Sequence, residues 1–376
     1  MKYINIIFLF LTLQLSAQSI DLATQVEAVV QPYMAEEGIV GLAVGVVQDG
    51  QVLLSSGYGT KEIGRDAPVD SLTNFLTASI SKLFTATAIM QLHEQGRIDL
   101  QGKVTDYLPE FTMKDDRYKD ITVYQLLTHT SGIANYFNPR FIQPPHDSVA
   151  LSMFAEKLAT KKLRFEPGVS LSEKTYSNSG YNMLGLIIER IAGCSFSAYM
   201  EEHLLSPVGM ENSSFFIDSI PVERRSIPHR KQWLTGRISP SDYYPDIPQD
   251  KPCGNLNSCT ADLCKWMLHN LSIYDTTKIH RGVIAPSSLR QMWTAQEEID
   301  GYSTSVGLGW WIVNSATYGD YLFHVGNDPG FSATLMLWPE HGFGLVLLCN
   351  GMYPMDTVWN KIPFAIVDLF KKEWQD

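Results

Sequence analysis

The sequence predicts an α/β fold in which both ends of the chain build one antiparallel sheet and the middle of the chain is helical. Near the N-terminus, residues 39–57 hold two apolar runs on either side of Asp49-Gly50. A tight hairpin turn favours this dipeptide because both turn positions need a positive φ. Near the C-terminus, Pro-Gly and His-Gly turn signals separate three runs that are typical of strands, at residues 321–325, 331–338 and 343–350.

Helical spacing accounts for much of the remaining chain. An amphipathic helix is predicted over residues 20–34 and a closing helix over residues 356–372. Two segments in the middle also carry apolar residues on one face and end at a glycine, residues 81–96 and residues 181–193.

We therefore expect a single domain over residues 20–376. Its α/β part comprises about residues 20–85 and 290–376, and an all-α subdomain is inserted between them at about residues 86–289.

The composition and net charge of the chain argue against some classes of function. The chain of 376 residues is 45% hydrophobic and 18% charged, which is typical of a globular protein, and its formal net charge is −11. A negative balance of this size disfavours a nucleic-acid partner, because phosphate binding needs a basic surface. The glycine-rich stretch at residues 57–64 lacks the third glycine of a dinucleotide-binding loop, and no cofactor is predicted.

The first residues predict export. Lys2 precedes an apolar run from Ile4 to Leu13, and the small residues Ser16 and Ala17 follow. This run is too short to span a bilayer and is typical of a secretory signal at residues 1–17, so we expect a periplasmic or secreted protein without a stable membrane anchor. The alternative is a buried N-terminal helix.

Five cysteines form an odd set. Cys253, Cys259 and Cys264 lie close enough in sequence to supply one disulfide in an exported protein, but nothing selects the pair. No CxxC or matching histidine set accompanies them, so no metal site is predicted. Free, buried thiols are expected for Cys194 and Cys349.

The residues that carry chemistry begin with Ser79 and Lys82, which form the only S-x-x-K of the chain. A serine hydroxyl is a weak nucleophile until a base removes its proton, and positions i and i+3 at the start of a helix place the two side chains side by side. The helix N-terminus also offers N–H groups to a developing oxyanion. Isolated matches of this kind are common by chance, so the context decides.

That context is a set of motifs in a fixed order. Tyr176-Ser177-Asn178 follows 97 residues after Ser79, directly before a helix, and His324-Val325-Gly326 ends a predicted strand. The order S-x-x-K, Y-x-N, H-x-G resembles the serine β-lactamase and penicillin-binding-protein superfamily, and the tyrosine makes its class C β-lactamase-like branch (peptidase family S12 type) the nearest match. Further stretches resemble that branch, at residues 126–133, 206–215 and 306–311.

The resemblance implies a mechanism. Ser79 attacks a carbonyl and becomes acylated, while Lys82 and Tyr176 exchange the proton. Asn178 is expected to hydrogen-bond Lys82 and the substrate. The backbone N–H groups of Ser79 and Asn327 are expected to form the oxyanion hole.

His324 stands where β-lactamases have a lysine that holds the substrate carboxylate. A neutral histidine is a poorer partner for an anion, so the resemblance implies a serine hydrolase acting on an ester, amide or peptide. The first alternative is a true β-lactamase or a D-alanyl-D-alanine carboxypeptidase, and an alternative of another class is a catalytically silent scaffold that binds peptidoglycan. We expect the site at the seam between sheet and helices, with His324 on an edge strand.

Residues near the motifs are candidates for substrate binding. Tyr136, Phe137 and Gly326 are placed in the cleft, and Trp310 either lines the cleft or belongs to the core. His129 is predicted to be a structural histidine. No sequence feature indicates the oligomeric state.

Overall fold

In this computed structural model, the described residues are 22–136, 147–169, 172, 175–232, 234–274, 282–299, 303–371 and 374. The predicted signal segment and the candidate cleft residue Phe137 lie outside them.

Both ends of the chain contribute to one antiparallel sheet, as predicted. Its eight strands among the described residues lie in the order β2-β1-β12-β11-β10-β9-β8-β7. They are β1 Gly41–Gln48, β2 Gln51–Gly59, β7 Glu297–Glu298, β8 Thr304–Val306, β9 Trp311–Val313, β10 Tyr321–Asp328, β11 Phe331–Trp338 and β12 Phe343–Cys349. Two small pairs complete the strands, β3 Phe75–Leu76 with β6 Asn257–Ser258 and β4 His229–Lys231 with β5 Ile238–Pro240.

The N-terminal hairpin joins the C-terminal strands directly. Asp49 and Gly50 have φ values of 49° and 77°, which confirms the predicted tight turn. Strand β1 then pairs with β12 in a register that sets Val44 opposite Leu347. Every residue of β12 is buried, because the strand lies between two neighbours and both faces of the sheet are covered.

The helices cover the two faces of the sheet and build the middle of the chain. The first, α1, spans residues 22–37. The others are α2 Ser81–Glu94, α3 Val104–Tyr107, α4 Val123–Leu127, α5 Asp147–Leu158, α6 Asn178–Ala192, α7 Phe196–Met200, α8 Ser206–Val208, α9 Lys251–Gly254, α10 Thr260–Leu271, α11 Pro286–Met292 and α12 Ile362–Val367. Two π-helical turns, Glu201–Leu205 and Thr357–Lys361, precede α8 and α12.

Each face of the sheet has its own core. Leu42, Val44 and Leu347 point to the face that α1 and α12 cover. Ala43 and Leu348 point to the opposite face, against α2 and α10 and the rest of the helical region. This alternation follows from the period of two along a strand.

Helix α2 differs from its prediction. The sequence predicted one apolar face, but every side chain from Ser81 to Leu92 is buried. The helix lies between the sheet and the other helices and touches α6 and α9, so it has no face toward water. By contrast, α6 ends at Gly193 as predicted, with a left-handed φ of 74°.

Strand β10 is not an edge strand, so that prediction was wrong. It lies between β11 and β9. However, only Tyr321–Phe323 pair with β9, and the register ends there. The half of β10 that starts at His324 therefore has no strand partner on that side among the described residues. The three strands beyond β10 are too short for their pattern to be seen in the sequence.

The thiols also differ from expectation. All five cysteines are free, so none of Cys253, Cys259 and Cys264 forms a disulfide. Cys194 is exposed rather than buried, because it follows the end of α6 at Gly193.

No single helix within the described ranges has the length and apolar composition of a membrane span. Asn178–Ala192 and Phe196–Val208 meet that test only as a pair, bent by 79°.

Candidate active site

Ser79 lies in a 3-10 turn, Ala78–Ile80, that leads directly into α2. Ala78 adopts a left-handed φ of 48°, a conformation that costs an alanine about 1 kcal/mol or more. Two hydrogen bonds offset this strain. The Thr77 backbone N–H donates to the Leu256 carbonyl at 2.8 Å, and the Ser81 hydroxyl donates to the Ala78 carbonyl at 2.7 Å. The turn thereby presents the Ser79 hydroxyl at the N-terminal end of a 14-residue helix.

Lys82 lies one turn further along and is completely buried. Its Nζ donates to Ser79 Oγ at 2.9 Å and to the Cys253 carbonyl of α9 at 2.7 Å. The same nitrogen lies 5.1 Å from the centre of the Tyr176 ring. The spacing i, i+3 therefore brings the candidate nucleophile Ser79 and the candidate base Lys82 into contact, with the tyrosine beside them.

His129 packs against Tyr176 and fixes its position. The two rings lie 4.3 Å apart, and His129 Nδ1 accepts a hydrogen bond from the Ser177 backbone N–H at 3.2 Å. Burial lowers the pKa of His129 well below its usual value, and nearby Lys82 lowers it further, so the ring remains a neutral acceptor. This geometry is that of a structural histidine, and it fixes the loop that carries the tyrosine.

Asn178 opens α6, where the Ser177 hydroxyl caps the helix by accepting from the Gly180 N–H at 3.0 Å. The expected bond between Asn178 and Lys82 is absent, so this prediction was wrong. The lysine donates instead to Ser79 and to the Cys253 carbonyl of α9. The Asn178 side-chain oxygen is buried with no hydrogen-bond partner, and the residue lines the cleft.

His324 lies on β10 and is only 1% exposed. Its Nδ1 is 2.8 Å from the Val325 carbonyl, while Nε2 has no partner. The pKa of His324 is lowered to about 3, mainly by burial and also by the nearby charge of Lys82. The imidazole is therefore neutral across the working pH range and places no positive charge in the cleft.

Gly326 packs against the turn that carries Ser79. A Cβ on this residue would lie 2.2 Å from the Thr77 carbonyl oxygen and 3.1 Å from the Ser79 nitrogen. Only glycine lets β10 pack this closely on the turn that carries Ser79. The residue is buried against that turn and is not among those that line the cleft, and its role as a substrate contact stays a prediction. Ser79 and Asn327 both line the cleft; their role as oxyanion hole stays a prediction.

A cavity of about 780 Å³ joins these residues. Ser79, Tyr176, Asn178, His324 and Asn327 all line it.

Two predicted cleft residues lie elsewhere. Trp310 is completely buried and packs edge-on against Trp293, while its neighbour Trp311 lines the cavity instead. The Tyr136 hydroxyl donates to the Lys162 carbonyl at 2.9 Å, outside the cavity, and Asn135 lines the cavity in its place. In both places the residue next to the predicted one lines the cavity.

Two features of the site were missed in the sequence. The first is a set of apolar cleft residues, Trp311, Tyr321, Phe323, Met336 and Trp359. Tyr321 and Phe323, two aromatic residues two positions apart in the predicted strand, are the sequence signal that could have found part of it.

The second is a pair of half-buried carboxyl groups, Asp250 and Asp328, and the charge of Lys82 acts on both. The pKa of Asp328 is raised to about 7, mainly by burial and also by nearby Asp250, while Lys82 opposes the rise. No sequence pattern marks this pair. Across the described ranges, no three His, Cys, Asp or Glu side chains gather as a metal centre would require.

Comparison with known proteins agrees with this geometry. A family model described as Beta-lactamase matches residues 26–362. The chain belongs to the beta-lactamase family. Members of this family are serine hydrolases.

Its curated relatives are distant. This beta-lactamase family member is 26% identical to Protein flp of Staphylococcus aureus (strain MW2) over 331 residues. The match covers 88% of this chain and 63% of that protein. It is also 26% identical over 315 residues to Penicillin-binding protein 4* of Bacillus subtilis (strain 168), covering 81% of this chain and 66% of that protein. The chain thus spans about two thirds of the length of these relatives.

Solved structures confirm the predicted fold. A class C beta-lactamase superposes with a TM-score of 0.75 at 21% identity, over 91% of this chain and 95% of that one. The octameric penicillin-binding protein homologue from Pyrococcus abyssi superposes with a TM-score of 0.71 at 25% identity, over 87% of this chain and 73% of that one.

Proposed function

We propose that this member of the beta-lactamase family hydrolyses an ester or amide through an acyl-serine at Ser79. The observation that carries the proposal is the 2.9 Å contact between Lys82 Nζ and Ser79 Oγ, on a turn that directs the hydroxyl into the cavity. A buried amine in hydrogen-bond contact with a hydroxyl at the start of a helix is the arrangement that nucleophilic catalysis requires.

The proposed reaction has two halves. Ser79 Oγ loses its proton to the Lys82–Tyr176 pair as it forms a bond with the substrate carbonyl carbon. The bond to the leaving group then breaks, and that group takes up the proton. In the second half, a water molecule gives a proton to the same pair and attacks the acyl carbon, and the proton returns to Ser79 as the acid departs. Backbone N–H groups of Ser79 and Asn327 would hold the oxyanion in both halves.

We further propose that neutral substrates are preferred over carboxylate-bearing ones. None of the described residues that line the cavity is Lys, Arg, Asp or Glu, and His324 is neutral. A β-lactamase or D-alanyl-D-alanine carboxypeptidase activity is the second candidate, supported by the likeness to Penicillin-binding protein 4*. Export, which the first residues predict, is proposed for the location.

Three reagents separate these functions: a fluorophosphonate, a fluorescent penicillin and a neutral ester such as p-nitrophenyl acetate. The proposal expects rapid fluorophosphonate labelling and ester turnover, with slow reaction with penicillin. Penicillin turnover that exceeds ester turnover would favour the second candidate. A protein that reacts with none of the three would be a catalytically silent scaffold.

A further inference from the structure

The cavity extends well beyond the reacting groups. Its lining includes Ser79, Tyr176 and Asn178 and also a second group, Phe323, Met336 and Trp359, which we call its far end. The second group belongs to the face of the sheet that α1 and α12 cover, the face opposite to α2. Pairing between β9 and β10 stops at Phe323, beside the residues of this second group.

The far end is built as a row across three adjacent strands. Phe323 of β10 is paired with Trp311 of β9 on one side and with Met336 of β11 on the other. Residues directly opposite each other in an antiparallel sheet point to the same face, so the three side chains form one continuous apolar floor. We call Trp311, Phe323 and Met336 the apolar row.

The apolar row is continuous with the reacting groups. The Trp311 ring stacks 6.3 Å from the Tyr176 ring and lies 6.5 Å from the Phe323 ring. Trp359, from the π-helical turn Thr357–Lys361, lines the far end. Half-buried rings that face an open cavity leave apolar surface for a ligand to cover.

The chemistry of this end indicates what it binds. None of its side chains carries a charge, and the Tyr321 hydroxyl, the Thr304 hydroxyl and the Asn360 amide are uncharged polar groups that line the same cavity. An ionic ligand group would lose its hydration there without a compensating partner. An alkyl or phenyl group would gain, because each buried methylene favours binding by about fourfold.

We propose that the apolar row, with Trp359, is a subsite for an uncharged alkyl or aromatic group attached to the scissile ester or amide. This inference rests on the proposed acyl-serine function and names the substrate class for it. Substrates with a long aliphatic or phenyl substituent on one side of the carbonyl are therefore the preferred ones.

Two ester series test the subsite. The first varies the acyl chain of p-nitrophenyl esters from acetyl to octanoyl, and the second varies the alcohol of acetate esters from methyl to octyl or benzyl. In one of the two series, kcat/KM should rise by about threefold to fourfold per methylene until the row is covered. A flat dependence in both series would overturn the proposal.

Variants connect the effect to the row. Phe323→Ala and Trp359→Ala should each reduce the ratio of octyl-type to acetyl-type kcat/KM at least tenfold. Phe323→Leu, which keeps the strand apolar, should reduce the ratio less and covers the case in which the alanine variant folds poorly. Phe216→Ala is the control, because Phe216 is an exposed aromatic that does not line the cavity. An unchanged ratio in Phe323→Leu and in Trp359→Ala would overturn the subsite.

Fluorophosphonate labelling of the wild type distinguishes a failure of the subsite proposal from a failure of the hydrolase proposal. Labelling of Ser79 together with a flat chain-length dependence removes the subsite and leaves the hydrolase. The absence of both labelling and ester turnover removes the hydrolase, and the subsite with it.

Discussion

Replacing Gly326 with alanine tests how closely β10 must approach the Ser79 turn. The new Cβ would lie 2.2 Å from the Thr77 carbonyl oxygen, 3.0 Å from the Ala78 Cβ and 3.1 Å from the Ser79 nitrogen. Carbon–oxygen contacts below about 3 Å are strongly repulsive, so the strand and the turn must separate by roughly 1 Å. Such overpacking typically costs about 1–3 kcal/mol of stability, and a displacement of about 1 Å at a reacting group costs about 10²-fold in rate.

The assay compares two quantities in wild type and Gly326→Ala. Urea unfolding measures the free energy of unfolding, and the second-order rate of fluorophosphonate labelling measures the reactivity of Ser79. Gly180→Ala is the matched control: it lies in α6 near Asn178, its nearest contact would be 3.5 Å, and alanine favours a helix. We expect a loss of labelling rate of about 10²-fold in Gly326→Ala alone. A folded Gly326→Ala protein that is labelled at the wild-type rate would refute this account of β10.

Three further variants test the groups around Ser79. Tyr176→Phe keeps the ring stacked on His129 but removes the phenol, so kcat should fall by about 10²–10⁴-fold with little change in KM; a change in KM alone would assign the base to Lys82. His324→Gln should leave the pH profile of kcat/KM unchanged between pH 5 and 8, since the pKa of His324 is lowered to about 3; an inflection near pH 6.5 that disappears in the variant would contradict this. Asp328 keeps its proton up to a pKa of about 7 when folded but loses it near 3.8 when unfolded, so wild-type stability should fall as the pH rises between these values. Asp328→Asn should therefore be more stable than wild type at pH 8, by up to a few kcal/mol in urea unfolding, with a flatter pH dependence; lower stability at pH 8 would be the opposite result.

Local chemistry explains which parts of the fold were predictable. The Asp49-Gly50 turn and the strands that lead to His324 carry their own signals, in turn residues and apolar runs. Strands β7 to β9 have two or three residues each, too few for a period of two to emerge. Their pairing, which only the folded chain shows, makes β10 an interior strand that is open along half its length.

That Ser79, Tyr176 and His324 line one cavity was predictable because the order of their motifs along the chain is distinctive, whereas the walls of the cleft were not predictable. Trp310 and Trp311 are adjacent residues of the same type, so the sequence does not distinguish them. The pairing of Trp311 with Phe323 in the folded sheet decides which of the two faces the cavity. Likewise, the i, i+3 spacing predicted the contact between Lys82 and Ser79. The second acceptor of the lysine, the Cys253 carbonyl, lies 171 residues away in the sequence. Contacts of that separation leave no local pattern in a sequence.

The central claim is that Ser79 forms a covalent acyl-type adduct, and peptide mapping by mass spectrometry after fluorophosphonate treatment tests it most directly. Wild type should gain one adduct, on the peptide that contains Ser79. Ser79→Ala should gain none while its free energy of unfolding stays within about 1 kcal/mol of wild type, because one hydroxyl at a cleft contributes little to packing. Full labelling of Ser79→Ala, or an adduct on another residue of the wild type, would contradict the account.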